Sequence, residues 1–102
     1  MIVIFGDAAK IELVETIEWY EVQQKGLGKR FAQALDITKK RITIFPDISS
    51  EVAQGIRRAI IKGFPYGLIY SIHKETIEII AVAHLHREPL YWDNRTQEIS
   101  HH

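Results

Sequence analysis

The side chains of this chain that could do chemistry are basic, histidine and aromatic groups in its second half. Arg57, Arg58 and Lys62 form the densest basic cluster, on a stretch that reads as a strand. Several cationic donors placed this closely suit a phosphate or an acidic partner peptide. Charges of this kind also protect an edge strand from aggregation. The spacing alone leaves both interpretations open.

A second group of such residues lies near the end of the chain. His84 and His86 are two residues apart, so on a strand they share one face. A metal site would need a third ligand such as Glu88 or Asp93, and the sequence does not fix that geometry. A histidine acting as a general base or as a structural hydrogen-bonding group needs no such ligand. We expect a structural histidine, no metal and no cofactor.

The segment that follows places Tyr91 and Trp92 between Arg87 and Arg95. Aromatic rings beside cations anchor partners or stack on bases. They can equally form a flap that closes one face of a sheet, and the sequence does not decide between the two. The chain has no cysteine and no glycine-rich phosphate loop, which excludes thiol catalysis and P-loop nucleotide binding.

The hydrophobic pattern predicts the elements that position these residues. A β-branched run at 2–5 predicts a strand, and helical spacing of apolar residues predicts two helices, the second ended by Pro46. Residues 47–50 read as a loop. A period of two then predicts three strands joined by short turns, which is typical of an antiparallel meander. These predicted strands are 56–62, 66–73 and 77–84.

The order β-α-α-β-β-β predicts an α+β fold in which an N-terminal helical hairpin packs on one face of a small antiparallel sheet of four strands. Two amphipathic helices must bury their apolar stripes, and the sheet offers one face to both. The length of 102 residues suits a single domain, which we expect at 1–95, with a C-terminal tail at 96–102 that is partly a tag remnant. Apolar runs are too short to cross a bilayer and the N-terminus lacks a signal-peptide pattern, so we expect a cytoplasmic protein without a membrane partner.

The formal charge of zero hides a strong segregation along the chain. Residues 7–21 hold five acidic residues against one lysine, whereas residues 25–41 hold six basic residues against one aspartate. Residues 56–62 add three more basic residues. The neutral total therefore excludes a partner chosen by net charge alone, but not local charged surfaces.

An ordered set of motifs across residues 7–95 resembles the ParE-like toxins of the RelE/ParE superfamily, often labelled plasmid stabilization proteins. No single motif is decisive, but the ordered set is specific, and the fold of that family is the one that the periodicities predict. The motifs are Glu18–Glu21 (EWYE), Gly26–Gly28, Arg30–Phe31, Phe45–Pro46, Ile56–Arg58, Phe64–Tyr66, Ile69–Tyr70, Ala81–His84, Arg87, Pro89, Tyr91–Trp92 and Arg95.

The resemblance implies a growth-inhibiting toxin of a type II toxin–antitoxin module. A cognate antitoxin would neutralise it by folding a disordered segment along the toxin. The assembly would be a homodimer or a heterotetramer with the antitoxin. Coupled folding of this kind suits a small domain with apolar grooves and basic strands. The residues that the resemblance implies for binding the target or the antitoxin are Arg57, Arg58, Lys62, Arg87, Tyr91, Trp92 and Arg95.

The superfamily contains two kinds of toxin with different targets. RelE-type members are ribosome-dependent mRNA endonucleases, and here their catalytic set would be Arg58, His84, Arg87 and Tyr91. Two arginines that RelE-type members use are absent here. The first would follow Tyr66, where this chain has Gly67, and the second would lie near the end of the last strand, at about Leu85. A metal-independent site depends on such charges. We therefore expect a ParE-type toxin that inhibits DNA gyrase by binding and is not an enzyme. The alternatives are the endonuclease and a degenerate toxin that retains only antitoxin binding and autoregulation.

Overall fold

The computed structural model describes residues 1–88 and 90–95, so Pro89 and the predicted tail at 96–102 lie outside the described residues. Two helices pack on one mixed sheet whose strand order is β1-β5-β4-β3-β2. The predicted α+β architecture with an N-terminal helical hairpin is confirmed. The elements are β1 (Ile2–Phe5), α1 (Asp7–Gln23), α2 (Leu27–Ile44), β2 (Ser50–Ala53), β3 (Ile56–Ile60), β4 (Tyr66–His73) and β5 (Thr76–His84).

The strand β2 is absent from the sequence prediction, which has a loop at 47–50 and no strand between that loop and residue 56. It pairs antiparallel with β3, with Ser50 opposite Arg58 and Glu51 opposite Arg57. β2 has four residues, too few to show a period, and it lacks the β-branched run that predicts the equally short β1. Because β2 covers β3, the interpretation of the basic residues as protection of an edge strand is wrong.

The first strand docks in an orientation that makes the sheet mixed instead of wholly antiparallel. β1 runs parallel to β5, with Ile2 opposite Thr76 and Phe5 opposite Ile79. The pairing ends where the backbone N–H of Gly6 donates to the Ile79 carbonyl. The second half of β5, from residue 80 onward, therefore has β4 on one side and, among the described residues, no strand on the other.

The helical hairpin closes tightly at two glycines. Gly26 adopts φ of 87°, the left-handed conformation that a glycine tolerates without strain. The carboxylate of Glu21 accepts hydrogen bonds from the backbone N–H groups of Gly26 and Gly28, which caps the start of α2. A β-carbon at position 28 would lie 2.5 Å from the carbonyl oxygen of Ile17. The two helices can therefore approach this closely only because residue 28 is glycine.

The sheet buries apolar side chains on both faces. The helix side holds the main core, in which the buried ring of Phe31 meets Phe64 and Tyr66 edge to face. Alternate residues of β4 face this core, namely Tyr66, Leu68, Tyr70 and Ile72. The opposite face holds a smaller cluster covered by Trp92. Its buried members are Ile56, Ile69, Ile80, Ala81, Ala83 and Trp92.

β5 contains a bulge directly after the point where its pairing with β1 ends. Ile69 lies opposite Ala81 and Tyr70 lies opposite Ile79, so Ile80 is an extra residue without a partner in β4. As a result Ile80 and Ala81 both join the smaller cluster, and Val82 returns to the main core. Because of the bulge, and because β1 does not extend beyond Ile79, some backbone polar groups of β5 have no strand partner.

Candidate binding site at the end of the sheet

The carboxylate of Glu12 occupies the free edge of β5. Its Oε1 accepts a hydrogen bond from the backbone N–H of Val82 at 3.1 Å. Beside it, Nη1 of Arg95 donates to the Ile80 carbonyl at 3.0 Å. The two side chains satisfy polar groups that a neighbouring strand would otherwise pair. Glu12 and Arg95 thus take the place that β1 would fill if it were longer.

The segment at 90–95 is fastened to α1 through the same carboxylate. The hydroxyl of Tyr91 donates to Oε2 of Glu12 at 2.6 Å, and Arg95 donates to both carboxylate oxygens at 2.8 and 3.2 Å. Trp92 is 3% exposed and packs in the smaller cluster. The segment therefore forms a flap over the open face of the sheet, which is one of the two interpretations that the sequence leaves open.

A pocket of about 270 Å³ lies between this flap and the end of the sheet. It brings together two guanidinium groups, an imidazole and the rings of the flap, above an apolar floor that includes Ile69. All four residues of the endonuclease alternative line it, together with Trp92 from the predicted binding set. These lining residues are Arg58, His84, Arg87, Tyr91 and Trp92.

A second concavity of about 420 Å³ lies on the α1 side of the same region. His84 and Arg87 line both hollows and so stand between them. The second hollow is also lined by Glu12 and Arg95. The guanidinium of Arg87 stacks on the Tyr91 ring at 3.7 Å, while its Nη1 lies 3.9 Å from Oε2 of Glu12. Arg87 is more than half exposed and remains open to a ligand.

His84 is held by its neighbours in a defined tautomer. Its Nδ1 accepts a hydrogen bond from the backbone N–H of His86 at 3.0 Å, so a neutral ring carries its proton on Nε2. The ring also meets Tyr66 nearly edge to face, with centroids 5.0 Å apart. His84 is therefore a positioned donor at the pocket wall. Within residues 1–88 and 90–95, no three metal-ligating side chains are grouped together.

Arg58 reaches the pocket across Gly67. A β-carbon at position 67 would lie 3.0 Å from Cγ and 3.3 Å from Cδ of Arg58. The stem of Arg58 thus occupies the space that a side chain at 67 would need. Gly67 is the position where the resemblance places an arginine in RelE-type toxins, so this chain has one guanidinium there in place of two.

The remaining predicted binding residues lie elsewhere. Nη1 of Arg57 donates to the carbonyls of Asp47 and Ser49 at 3.1 and 2.7 Å, so its guanidinium holds the loop between α2 and β2. Lys62 is exposed in the turn after β3 and not in the strand, because that strand ends at Ile60. The predicted strand 56–62 is two residues too long. Neither residue lines the pocket.

The electrostatics of the flap centre on Tyr91. Burial raises the pKa of the Tyr91 hydroxyl well above its ordinary value, and its hydrogen bond to the Glu12 carboxylate raises it further. The hydroxyl is therefore a fixed donor and not a proton acceptor. The hydrogen bond with Glu12 also raises the pKa of Arg95, which stays charged. The sequence gives no local signal for Glu12, since its role depends on partners 70 to 83 residues away.

Comparison with known proteins agrees with this fold. The family model for the ParE toxin of the type II toxin–antitoxin system parDE matches residues 3–89. The chain belongs to this family of toxins. A solved structure described as the chromosomal ParDE TA system from P. aeruginosa is similar in fold, with a TM-score of 0.63 and 12% identity. That match covers 83% of this chain and 96% of the other. No protein of curated function matches.

Membership of a toxin–antitoxin family implies that an antitoxin is a partner of this chain. Among the described residues, neither helix has the length and apolar character needed to cross a membrane.

Proposed function

We propose that this ParE-family chain stops bacterial growth by binding DNA gyrase, and that a cognate antitoxin neutralises it. Family membership over residues 3–89 carries the toxin–antitoxin part of the proposal. The pocket at the end of the sheet is the surface that we assign to the target or the antitoxin, because Arg58 and Arg87 bring two cations to an apolar floor there. Such a surface fits an acidic segment that also carries an apolar anchor.

Binding is favoured over catalysis by what the pocket residues already do. The Tyr91 hydroxyl is committed to the Glu12 carboxylate, and Gly67 supplies no charge. Cleavage of RNA without a metal needs groups that take a proton from the 2′-hydroxyl and stabilise the charged intermediate. One observation does favour the endonuclease alternative, namely that Arg58, His84 and Arg87 line a single pocket.

Induction of the full chain in a bacterial host separates the candidates. Gyrase inhibition predicts an SOS response with double-strand breaks, and purified chain should block supercoiling by purified gyrase. Codon-position-specific mRNA cleavage without DNA damage would overturn the gyrase proposal in favour of the endonuclease. If growth continues when the chain is induced without an antitoxin, the result would favour the third candidate, a degenerate toxin that retains only antitoxin binding and autoregulation.

A matched pair of variants connects the activity to the pocket. Arg87→Ala removes an exposed pocket cation and should reduce supercoiling inhibition about tenfold or more, the usual effect of losing one strong charged contact. Lys74→Ala removes an exposed cation from the turn between β4 and β5 and should change nothing. Equal inhibition by both variants would assign gyrase binding to another surface.

A further inference from the structure

Two arginines approach the carboxylate of Glu12, but only one of them bonds to it. Nη1 and Nη2 of Arg95 donate to the two carboxylate oxygens at 2.8 and 3.2 Å. Nη1 of Arg87 stays 3.9 Å from Oε2, which is beyond hydrogen-bond distance. Within residues 1–88 and 90–95, the guanidinium of Arg87 donates no hydrogen bond. Its N–H donors therefore remain for a ligand.

The carboxylate of Glu12 has no acceptor position left for Arg87. Oε1 accepts from the Val82 N–H and from Arg95, and Oε2 accepts from the Tyr91 hydroxyl and from Arg95. A carboxylate offers roughly four such positions, and all of them are occupied here. Arg95 fills two of them and also balances the negative charge of Glu12, whose side chain is only 15% exposed.

We propose that Arg95 is a positioning residue, which by occupying Glu12 keeps Arg87 available for an oxyanion of the ligand. This inference rests on the proposed function in one respect, namely that the pocket between the flap and the end of the sheet binds a ligand. Arg87 lines that pocket and is 56% exposed. Arg95 lines the second hollow, on the α1 side, so it acts on the ligand only through Glu12 and Arg87.

Without the Arg95 guanidinium, the carboxylate would draw Arg87 out of the pocket. One acceptor position would open on each oxygen of Glu12, and a carboxylate that is largely shielded from water strongly favours a cationic partner. Nη1 of Arg87 would need to move only about 1 Å to reach Oε2 at an ordinary hydrogen-bond distance. An oxyanion would then have to compete with Glu12 for the donors of Arg87.

The other donors at the pocket define the kind of group that Arg87 helps to bind. Arg58 lines the same pocket, and so does His84, whose neutral ring carries its proton on Nε2. Three groups that donate hydrogen bonds and accept none suit an oxyanion, which accepts them. Inorganic phosphate is the simplest probe of such a site, and we expect the full chain to bind it in the millimolar range.

Titration of the full chain with phosphate, followed by the NMR signal of the Arg87 Nε–H group, tests the proposal. The spectrum of Arg87→Lys identifies that signal, because it is missing there. Arg95→Gln should weaken phosphate binding about tenfold, since Arg87 turns to Glu12. The chain that carries both Glu12→Gln and Arg95→Gln should regain the affinity of the wild type to within about twofold, because a neutral amide no longer attracts Arg87. Circular dichroism of each variant verifies that it is folded.

Glu15 provides a matched control for the loss of one negative charge. It lines the same hollow as Glu12 but forms no ion pair within the described part of the chain. Glu15→Gln in the Arg95→Gln background should therefore leave phosphate binding weak. Equal recovery with Glu15→Gln and with Glu12→Gln would show a general effect of charge and would overturn the proposal.

Two further results would overturn the role of Arg95. If the chain with Glu12→Gln and Arg95→Gln binds phosphate even more weakly than Arg95→Gln alone, Arg95 acts by fastening the flap and not by occupying Glu12. A wild-type chain that binds no phosphate would remove the oxyanion site on which this role depends. These titrations contain no gyrase, so a failure to inhibit gyrase would overturn the proposed target and leave the phosphate result unaffected.

Discussion

The carboxylate of Glu12 and the guanidinium of Arg95 face each other through two hydrogen bonds, 2.8 Å from Nη1 to Oε1 and 3.2 Å from Nη2 to Oε2. The two side chains are only 15% and 24% exposed. The pair joins the first helix to the last described residue, 83 positions away. It also covers the part of β5 that β1 leaves without a neighbour, so it closes the sheet and fixes the flap together.

Loss of the Glu12 carboxylate should destabilise the fold strongly. Glu12→Ala leaves the Val82 N–H and the partly buried Arg95 without their acceptor, so we expect a loss of about 2–4 kcal/mol in the free energy of unfolding. Urea denaturation measures it. Glu15→Ala, on the exposed side of the same helix, should change stability by less than about 0.5 kcal/mol. Equal losses in both variants would contradict this role for Glu12.

The Tyr91 hydroxyl should make stability fall at alkaline pH. Burial and the bond to Glu12 raise its pKa in the folded state above the value near 10 of the unfolded chain. The folded state then binds the phenolic proton more tightly, and the stability that this contributes is complete below about pH 10 and lost as pH rises further. At neutral pH, Tyr91→Phe should cost about 1–2 kcal/mol for the lost hydrogen bond.

The pH profile distinguishes this effect from general alkaline unfolding. The stability difference between wild type and Tyr91→Phe, measured by urea denaturation, should narrow as pH rises above about 10. Some pH dependence will remain in the variant, because burial also raises the pKa of Tyr20. Parallel profiles for the two proteins would argue against a raised pKa at Tyr91.

Local patterning predicts most of the elements, whereas the site depends on distant partners. The strand β4 is predicted at its observed bounds because alternate residues from Tyr66 to Ile72 face the core. β2 is missed because its four residues show neither a period nor the β-branched run that marks the equally short β1. Glu12 reads as one more acid on a helix. The shortness of β1 and the bulge in β5 leave it the Val82 N–H, and the flap brings it Tyr91 and Arg95.

The same contrast separates the predicted binding residues. Arg57 and Arg58 are equivalent in the sequence, but their side chains leave opposite faces of β3. Arg57 contacts the loop at 47–49, and Arg58 lines the pocket. Trp92 is predicted as an anchor for a partner and is buried in the protein's own smaller cluster. A truncation before Pro89 would remove this buried ring. It would therefore be expected to destabilise the fold, and a loss of toxicity in it could not be assigned to a lost binding residue.

Helix approach at Gly28 should be sensitive to a single methyl group. In Gly28→Ala the new β-carbon would meet the Ile17 carbonyl at 2.5 Å. This forces the helices apart and weakens the capping hydrogen bonds that backbone N–H groups donate to Glu21. We expect a loss of about 1–3 kcal/mol, typical of overpacking, in urea denaturation. Gln33→Ala, at an exposed position of the same helix, should be neutral or slightly stabilising. A stable Gly28→Ala variant would mean that the hairpin opens at little cost.

Arg57 and Arg58 should differ in what their loss affects. Arg57→Ala removes two hydrogen bonds to the loop before β2 and should cost about 1–2 kcal/mol of stability, with toxicity falling only as far as the folded fraction does. Arg58→Ala should leave stability within about 0.5 kcal/mol, because its side chain is exposed, yet it should lower toxicity per folded molecule about tenfold. Urea denaturation gives the first quantity, and growth after induction, normalised to folded protein in the cell extract, gives the second. Toxicity that follows stability alone in both variants would remove Arg58 from the binding surface.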